Sequence, residues 1–138
     1  QTRFVDDDTQ DFLTEMTNEI MAMGPYFRAV IDSLDFFMQR EDQSRVVAML
    51  RMMQAHTQIH RGILFVTVSK DTITPAIKQE MAAIADMVCD FKVRTIGSDF
   101  ETSMTVSKFR NAPENLSIMV FRVTPEEGIT PETVERIA

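Results

Sequence analysis

The sequence predicts a three-layer α/β sandwich, a mostly parallel sheet with antiparallel edge strands at its C-terminal end. Short apolar runs at 27–32 and 63–70 have the composition of buried strands, and they alternate with segments of helical periodicity. This alternation requires helices on both faces of the sheet. With 138 residues the chain has the length of one domain, so we expect residues 1–138 to form a single unit.

The first half of the chain yields an acidic lead-in, two helices and two strands. Residues 1–9 lack periodicity, and we expect them to be disordered. Apolar residues at steps of four, four and three predict a helix over 10–23. They are Phe12, Met16, Ile20 and Met23. A strand over 27–32, a long helix over 43–61 and a strand over 63–70 follow.

The second half begins with a helix and continues as strands. Thr74-Pro75 opens the next predicted helix, which runs through Ala85 and has Pro75 at its first position, where the missing N–H costs nothing. Residues 87–94 alternate polar and apolar, which indicates a strand with one wet face. Segments 101–110 and 117–124 follow as two strands joined around 112–115, a predicted hairpin.

Composition excludes some classes of partner. Fourteen basic against 21 acidic residues give a net charge of −7, which works against binding a phosphate backbone, so no nucleic acid is expected. No apolar run approaches the ~18 residues needed to span a bilayer. The single cysteine, Cys89, cannot form an internal disulfide, so a cytoplasmic location is the simplest expectation.

Two polar residues end the predicted parallel strands. In such sheets ligands bind at the carboxyl ends of the strands, where Asp32 and Ser69 lie. A carboxylate there can hold Mg²⁺ through water beside nucleotide phosphates. The alternative is a strand that ends in a solvated or helix-capping acid. Lys108 and Arg110, two apart on a strand, can clamp a phosphate or simply form a solvated face.

Other patterns give weaker indications. None of the four glycines belongs to a G-x-x-x-x-G-K-[ST] phosphate loop. His56 and His60 are spaced to share a metal on one helix, but Thr57 stands where a catalytic glutamate is needed and no third ligand is evident. Surface or packing histidines are the alternative interpretation. Cys89, between apolar neighbours, is interpreted as a buried and inert thiol.

Five segments in order resemble the C-terminal half of the KaiC-like branch of the RecA ATPase superfamily, over roughly residues 25 to 130. "FRAVIDSLDFF" is similar to the Walker B strand, and "GILFVTVSK" to the sensor strand that follows it. "AIADMVCDFKV" resembles the Ala-Asp segment that leads into a new strand. "MTVSKFRN" resembles the K-x-R-G strand, with Asn111 in place of the glycine, and "IMVFRVTPEEGI" resembles the closing strand.

The resemblance implies a RecA-like fold, here a partial domain, in a family that commonly assembles rings with ATP between subunits. By this resemblance Asp32 is the Mg²⁺-side carboxylate, Ser33 and Ser69 are cofactor-binding, and Ser69 senses the γ-phosphate. Lys108 and Arg110 act on nucleotide held by an adjacent subunit. The implied cofactors are ATP and Mg²⁺.

The first functional hypothesis is therefore an archaeal or bacterial ATP-binding protein in regulation or signalling, whose 138-residue chain is inactive without a phosphate loop. The second is a non-catalytic interaction or oligomerisation module, a degenerate pseudo-ATPase, with exposed methionines such as Met16 and Met23 facing a partner or second copy. A third is a metal enzyme that uses His56 and His60.

Overall fold

The computed structural model describes residues 11–111 and 118–132. The chain divides into two compact units, Gln1–Ile84 and Ala85–Ala138. The acidic lead-in at 1–9 and the turn expected around 112–115 lie outside the described residues.

The first unit is built from helices and a parallel pair of strands. Its elements are α1 (Phe12–Met21), β1 (Arg28–Ile31), α2 (Asp35–Arg40), α3 (Gln43–Ile59), β2 (Ile63–Val66), a single 3-10 turn (Lys70–Thr72) and α4 (Pro75–Ile84). β1 and β2 pair in parallel from Arg28 opposite Ile63 to Ile31 opposite Val66. Their carboxyl ends therefore lie at the same edge.

Side-chain caps and proline set the helix starts close to their predicted positions. Asp11 accepts a hydrogen bond from the backbone N–H of Thr14 at 3.1 Å, and Asp42 accepts one from that of Ser44 at 3.0 Å. These bonds satisfy N–H groups that have no partner within α1 and α3. Pro75 is the first residue of α4, as predicted. The short helix α2 was not predicted.

The core of the first unit lies between its helices and one face of the β1–β2 pair. Twelve buried residues form it. They are Leu13, Ile20, Ile31, Leu34, Phe37, Met38, Val46, Val47, Leu50, Met53, Ile77 and Ile84. From the strands, Ile31 is buried in this core and Ala29, Leu64 and Val66 pack against it.

The other face of the β1–β2 pair is exposed, and we call its apolar side chains, Val30, Ile63 and Phe65, the open face. Val30 is 68% exposed and its register partner Phe65 is 60% exposed. The expectation that both strands are buried on both faces is wrong for the described chain. Helices cover only the side that carries Ile31.

The second unit is a four-stranded antiparallel sheet in the order β3-β4-β5-β6. Its strands are β3 (Met87–Ile96), β4 (Asp99–Phe109), β5 (Ile118–Thr124) and β6 (Gly128–Pro131). Between β3 and β4 the chain turns at Gly97 and Ser98, where Gly97 takes a φ of +62° that glycine adopts readily. The predicted α/β class, with parallel and antiparallel pairing, is confirmed. The antiparallel strands pair among themselves rather than as edges of the parallel sheet, and β6 was not predicted.

Met16 and Met23 do not form the exposed stripe that the interaction-module hypothesis requires, although Met21 on α1 is 37% exposed. Met16 and Met23 are partly buried and pack against the core. Because their side chains fill space between helices, the proposed exposed methionine stripe is wrong at these two positions.

Among the described residues, the structure contains no helix with the length and apolar character needed to cross a membrane.

Two adjacent methionines on α3 test the packing. Met53 is 1% exposed in the core, whereas Met52 is 50% exposed. Replacing Met53 with alanine removes buried contacts and leaves a cavity, so we expect Met53→Ala to lower the free energy of unfolding by about 2–5 kcal/mol. Met52→Ala, the matched control, should change it by no more than about 0.5 kcal/mol. Urea denaturation followed by circular dichroism measures both, and equal effects of the two substitutions would contradict this packing.

Candidate functional site

Asp32 and Ser33 leave the end of β1, and Thr67 and Ser69 follow the end of β2, so parallel pairing brings all four to one edge. Backbone hydrogen bonds extend the pairing past both strands. The Thr67 N–H donates to Ile31 O at 3.0 Å, and the Leu34 N–H donates to Thr67 O at 2.9 Å. The sequence prediction that Asp32 and Ser69 share an edge is consistent with this geometry.

The Asp32 side chain is exposed at this edge. Thr67 Oγ1 donates a hydrogen bond to its Oδ1 at 2.6 Å. The peptide bond that joins Asp32 to Ser33 is cis. The threonine fixes the direction of one carboxylate oxygen on a surface that solvent reaches.

A second carboxylate, Asp35 in the first turn of α2, is the most heavily hydrogen-bonded side chain of the edge. Its Oδ1 accepts from the Ser69 N–H and from Thr72 Oγ1, both at 2.8 Å. Its Oδ2 accepts from Ser69 Oγ at 2.7 Å and from Ser33 Oγ at 3.0 Å. One carboxylate thus joins the segment that leaves β1 to the segment that leaves β2.

These donors stabilise the ionised form of Asp35. The hydroxyl and then the backbone N–H of Ser69, followed by Thr72 and Ser33, lower the pKa of Asp35 from 3.8 to about 2, against a smaller opposing effect of burial. Asp35 is therefore charged throughout the physiological range and acts as a fixed anionic anchor.

The role of Ser69 is constrained by Asp35. Both its backbone N–H and its hydroxyl hydrogen are directed to the Asp35 carboxylate. A phosphate oxygen accepts hydrogen bonds, so Ser69 can contact a phosphate through its hydroxyl only by giving up its bond to Asp35. Sensing of a γ-phosphate by Ser69 stays a prediction.

Lys108 and Arg110 belong to the second unit, whereas Asp32, Ser33 and Ser69 belong to the first. Lys108 lies on β4 opposite Val88 and is half-buried. Arg110 follows the end of β4 and forms an ion pair with Asp86, its Nη1 lying 2.9 Å from Oδ1. The Arg110 N–H also donates to Asp86 O at 2.9 Å. The arginine is thus held at the start of β3 within its own chain.

His56 on α3 and His60 just after its end do not form a metal centre with described neighbours. His56 is buried, and its Nε2 donates to Met23 O at 2.9 Å, so this nitrogen carries its hydrogen and is not a free ligand. The His56 and His60 rings lie against each other, with centroids 4.1 Å apart. In the part of the chain that the structure describes, no group of three or more His, Cys, Asp or Glu side chains is placed to hold a metal ion.

Cys89 lies on β3 and is half-buried. Burial, and then the neighbouring charge of Asp90, raise the pKa of its thiol. A raised pKa lowers the thiolate fraction at neutral pH, which agrees with the interpretation of Cys89 as an unreactive thiol.

Sequence reasoning missed the anchoring role of Asp35 and the participation of Thr67 and Thr72. The available signal was the clustering of hydroxyl residues after β2 together with an acid three residues beyond Asp32. Nothing in local spacing shows that these hydroxyls converge on Asp35, because the contacts join segments 34 to 37 residues apart.

Asp35→Asn tests the anchor. The amide retains one acceptor oxygen but loses the charge and the second acceptor, so we expect the free energy of unfolding at neutral pH to fall by about 1–3 kcal/mol. Asp32→Asn, which affects a carboxylate with one hydroxyl donor among the described residues, should have a smaller effect.

The same pair of variants gives a pH signature. The pKa of Asp35 is lower in the folded chain than its ordinary value of 3.8. The contribution of the ionised carboxylate to the free energy of unfolding is therefore complete above 3.8 and is lost as pH falls towards about 2. The stability difference between the original chain and Asp35→Asn should therefore be constant above about pH 5 and disappear towards pH 2. Urea midpoints across this range measure it, and a difference that persists at pH 2 would count against an ionised anchor.

Solved structures share the fold of this chain, among them the following two proteins. The flagellar accessory protein FlaH from Methanocaldococcus jannaschii matches with a TM-score of 0.67 and 18% identity over 89% of this chain and 54% of that one. The KaiC-like protein PH0186 from Pyrococcus horikoshii OT3 matches with a TM-score of 0.60 and 17% identity over 88% and 53% respectively. The chain has a KaiC-like, RecA-type fold, as the resemblance implied, and spans about half the length of these neighbours.

No curated protein matches the chain. The profile of the family of unknown function DUF7125 matches residues 1–126, which is most of the sequence. The chain belongs to the DUF7125 family.

Proposed function

We propose that this chain is the C-terminal half of a KaiC-like ATP-binding domain, in which Asp32 holds the magnesium ion of Mg·ATP through water. The observation that carries the proposal is the exposed Asp32 carboxylate at the carboxyl end of a parallel strand, with one oxygen oriented by Thr67. Ligands of open α/β sheets bind at this edge. The RecA-type fold supports the assignment.

The choice of Asp32 over Asp35 follows from their hydrogen bonds. A metal bound directly to Asp35 competes with four donors, from Ser33, Ser69 and Thr72, and those donors anchor the edge. Asp32 accepts from one hydroxyl among the described residues and is exposed. Mg²⁺ keeps several of its waters and needs few protein carboxylates, so one accessible carboxylate suits it.

The phosphates need a cradle of backbone N–H groups that this sequence does not supply. The remaining part of the domain provides it in this proposal, in keeping with fold neighbours of which this chain covers only 54% and 53%. The residues Ser33 and Ser69 then border the nucleotide. The output of the assembly is regulatory or signalling.

Lys108 and Arg110 retain their proposed role towards nucleotide on an adjacent subunit. For Arg110 the proposal includes an exchange of partners, because its guanidinium pairs with Asp86 within the chain. A phosphate group competes for an arginine because two of its charged oxygens can accept hydrogen bonds from the planar guanidinium at once.

The isolated 138-residue chain should release no phosphate from Mg·ATP above the rate of a buffer blank, because no glycine-rich loop binds the phosphates. A malachite-green assay measures this. Turnover by the isolated chain that is lost in Asp32→Asn would contradict the half-domain proposal.

The magnesium role of Asp32 is tested in the natural gene product that contains these residues. Asp32→Asn should weaken Mg²⁺-dependent binding of a fluorescent ATP analogue by about tenfold or more, a loss of about 1.4 kcal/mol. Binding measured with EDTA should change little, because the carboxylate acts through the metal.

Asp71→Asn is the matched control, since Asp71 is an exposed aspartate two residues after Ser69 and loses the same charge. Equal weakening in both variants indicates a general loss of negative charge. In that case Asp32 is not the magnesium-side carboxylate.

A further inference from the structure

The outward side of α3 is apolar where a surface helix is normally polar. Met53 and other core residues occupy its inward side. The opposite side carries Ala48, Met52, Ala55 and Ile59, which are spaced four, three and four apart and therefore share one side of the helix. We call these four side chains the outer stripe. All four are exposed, Met52 at 50% and Ile59 at 77%, although a helix that is apolar on both sides is typically buried on both.

The charges of α3 do not oppose the approach of a second apolar surface. The helix contains two arginines, Arg45 and Arg51, and no acidic residue. Arg45 forms ion pairs with Asp11 and Glu41, and Arg51 Nη2 lies 3.8 Å from Glu80 Oε2. Because each arginine has an acidic partner within its own chain, two α3 helices can meet without uncompensated positive charge between them.

The order of side-chain sizes makes the outer stripe complementary to itself. Along the helix the stripe reads small, large, small, large. The pair Ala48 and Ile59 and the pair Met52 and Ala55 are centred on the same point of the helix, between residues 53 and 54. A two-fold axis at that point therefore places each large side chain of one antiparallel helix opposite an alanine of the other.

This arrangement lets the two stripes interdigitate, because a large side chain fills the space that an alanine leaves. In a parallel packing each residue would instead face its own copy. Met52 would then meet Met52, and Ala48 would leave a gap against Ala48. The size pattern thus favours an antiparallel partner with the same stripe.

We infer that the outer stripe is a contact surface for a second copy of this chain, in which two α3 helices pack antiparallel about a two-fold axis. The inference goes beyond the proposed function and uses no residue at the carboxyl ends of β1 and β2, so either can fail without the other. A single helix pair buries less than the roughly 800 Å² per partner of a standard stable interface. The association is therefore expected to be weak and to depend on protein concentration.

Disulfide trapping tests the register of the two helices. Ala48→Cys and Ile59→Cys are made separately in the natural gene product that contains these residues, each with Cys89→Ser, and the two variants are mixed under mild oxidation. The antiparallel register places residue 48 of one copy opposite residue 59 of the other, within reach of a disulfide. The two copies of residue 48 are about 16 Å apart along the helix axis, since eleven residues rise about 1.5 Å each, and they cannot be bridged.

The mixture should yield the 48–59 disulfide in about tenfold or greater excess over the 48–48 disulfide that Ala48→Cys forms alone. Mass spectrometry of the linked peptides identifies both and separates them from links through any other cysteine. A predominant 48–48 disulfide indicates parallel packing and overturns the inference. The absence of a 48–59 disulfide overturns it as well, and leaves the stripe to a different occupant.

Charge substitutions test the same contact without cysteines. Ile59→Glu places a carboxylate against Ala48 of the second copy, and symmetry repeats this twice, so the dissociation constant should rise about 100-fold or more. Adding Ala48→Lys to Ile59→Glu should restore association, because each lysine then faces a glutamate. Gln79→Glu is the control, since it adds the same charge at an exposed position of α4, outside the stripe.

Sedimentation equilibrium over a range of protein concentrations measures the four proteins, and circular dichroism shows that each is folded. A dissociation constant that Ile59→Glu leaves unchanged, or that Gln79→Glu raises equally, assigns the association to another surface. A double variant that stays dissociated means that residues 48 and 59 do not face each other. An original protein that is monomeric at every concentration also refutes the contact.

Discussion

The parallel pairing of β1 with β2 is the constraint on which the candidate site depends. Pairing from Arg28 opposite Ile63 to Ile31 opposite Val66 forces both chains to leave the sheet at the same edge. Once there, the backbones of Leu34 and Thr67 bond to each other. An antiparallel arrangement of the same strands would send the two exits to opposite ends and separate every polar residue of the edge. The parallel direction of the two strands thus determines where the polar residues meet, and their side chains determine only how they contact one another.

Within that edge, two carboxylates three residues apart have different environments. Asp35 lies half-buried where four donors converge, and its pKa falls to about 2. Asp32 is exposed and accepts from Thr67. A carboxylate whose oxygens are occupied holds structure in place, whereas an accessible one is free to bind a hydrated cation. The first supplies rigidity to the loops that border the second, which is how binding sites acquire fixed geometry.

Periodicity was sufficient to predict the elements with strong local signals. The long helix α3, the proline start of α4 and the strands from β1 to β5 were predicted to within a few residues, because each has a pattern that repeats along its own length. The helix α2 has six residues, which is too short for a helical periodicity to be seen in the sequence. The anchor at Asp35 and the pairing of Arg110 with Asp86 are non-local, so their partners are set by the folded chain and not by spacing.

The error about the open face has the same physical origin. Continuous apolar runs such as those of β1 and β2 indicate strands buried on both sides, but they carry no information on what covers each side. The helices of the described chain cover only the side of the β1–β2 pair that carries Ile31. On the second side Val30, Ile63 and Phe65 stay exposed among the described residues.

Covering the apolar side chains of the open face has a free energy that is large relative to the stability of a domain. Complete burial of a fully exposed valine, isoleucine or phenylalanine side chain contributes about 1.5–3 kcal/mol. Because Val30, Ile63 and Phe65 are 68%, 42% and 60% exposed, covering what remains contributes about 2.5–5 kcal/mol in total, against a typical net domain stability of about 5–15 kcal/mol. Surface aliphatic residues scattered singly need no explanation, but three adjacent ones on a parallel sheet do. An apolar run therefore predicts that a strand face is covered, but it does not show whether the described residues supply the cover.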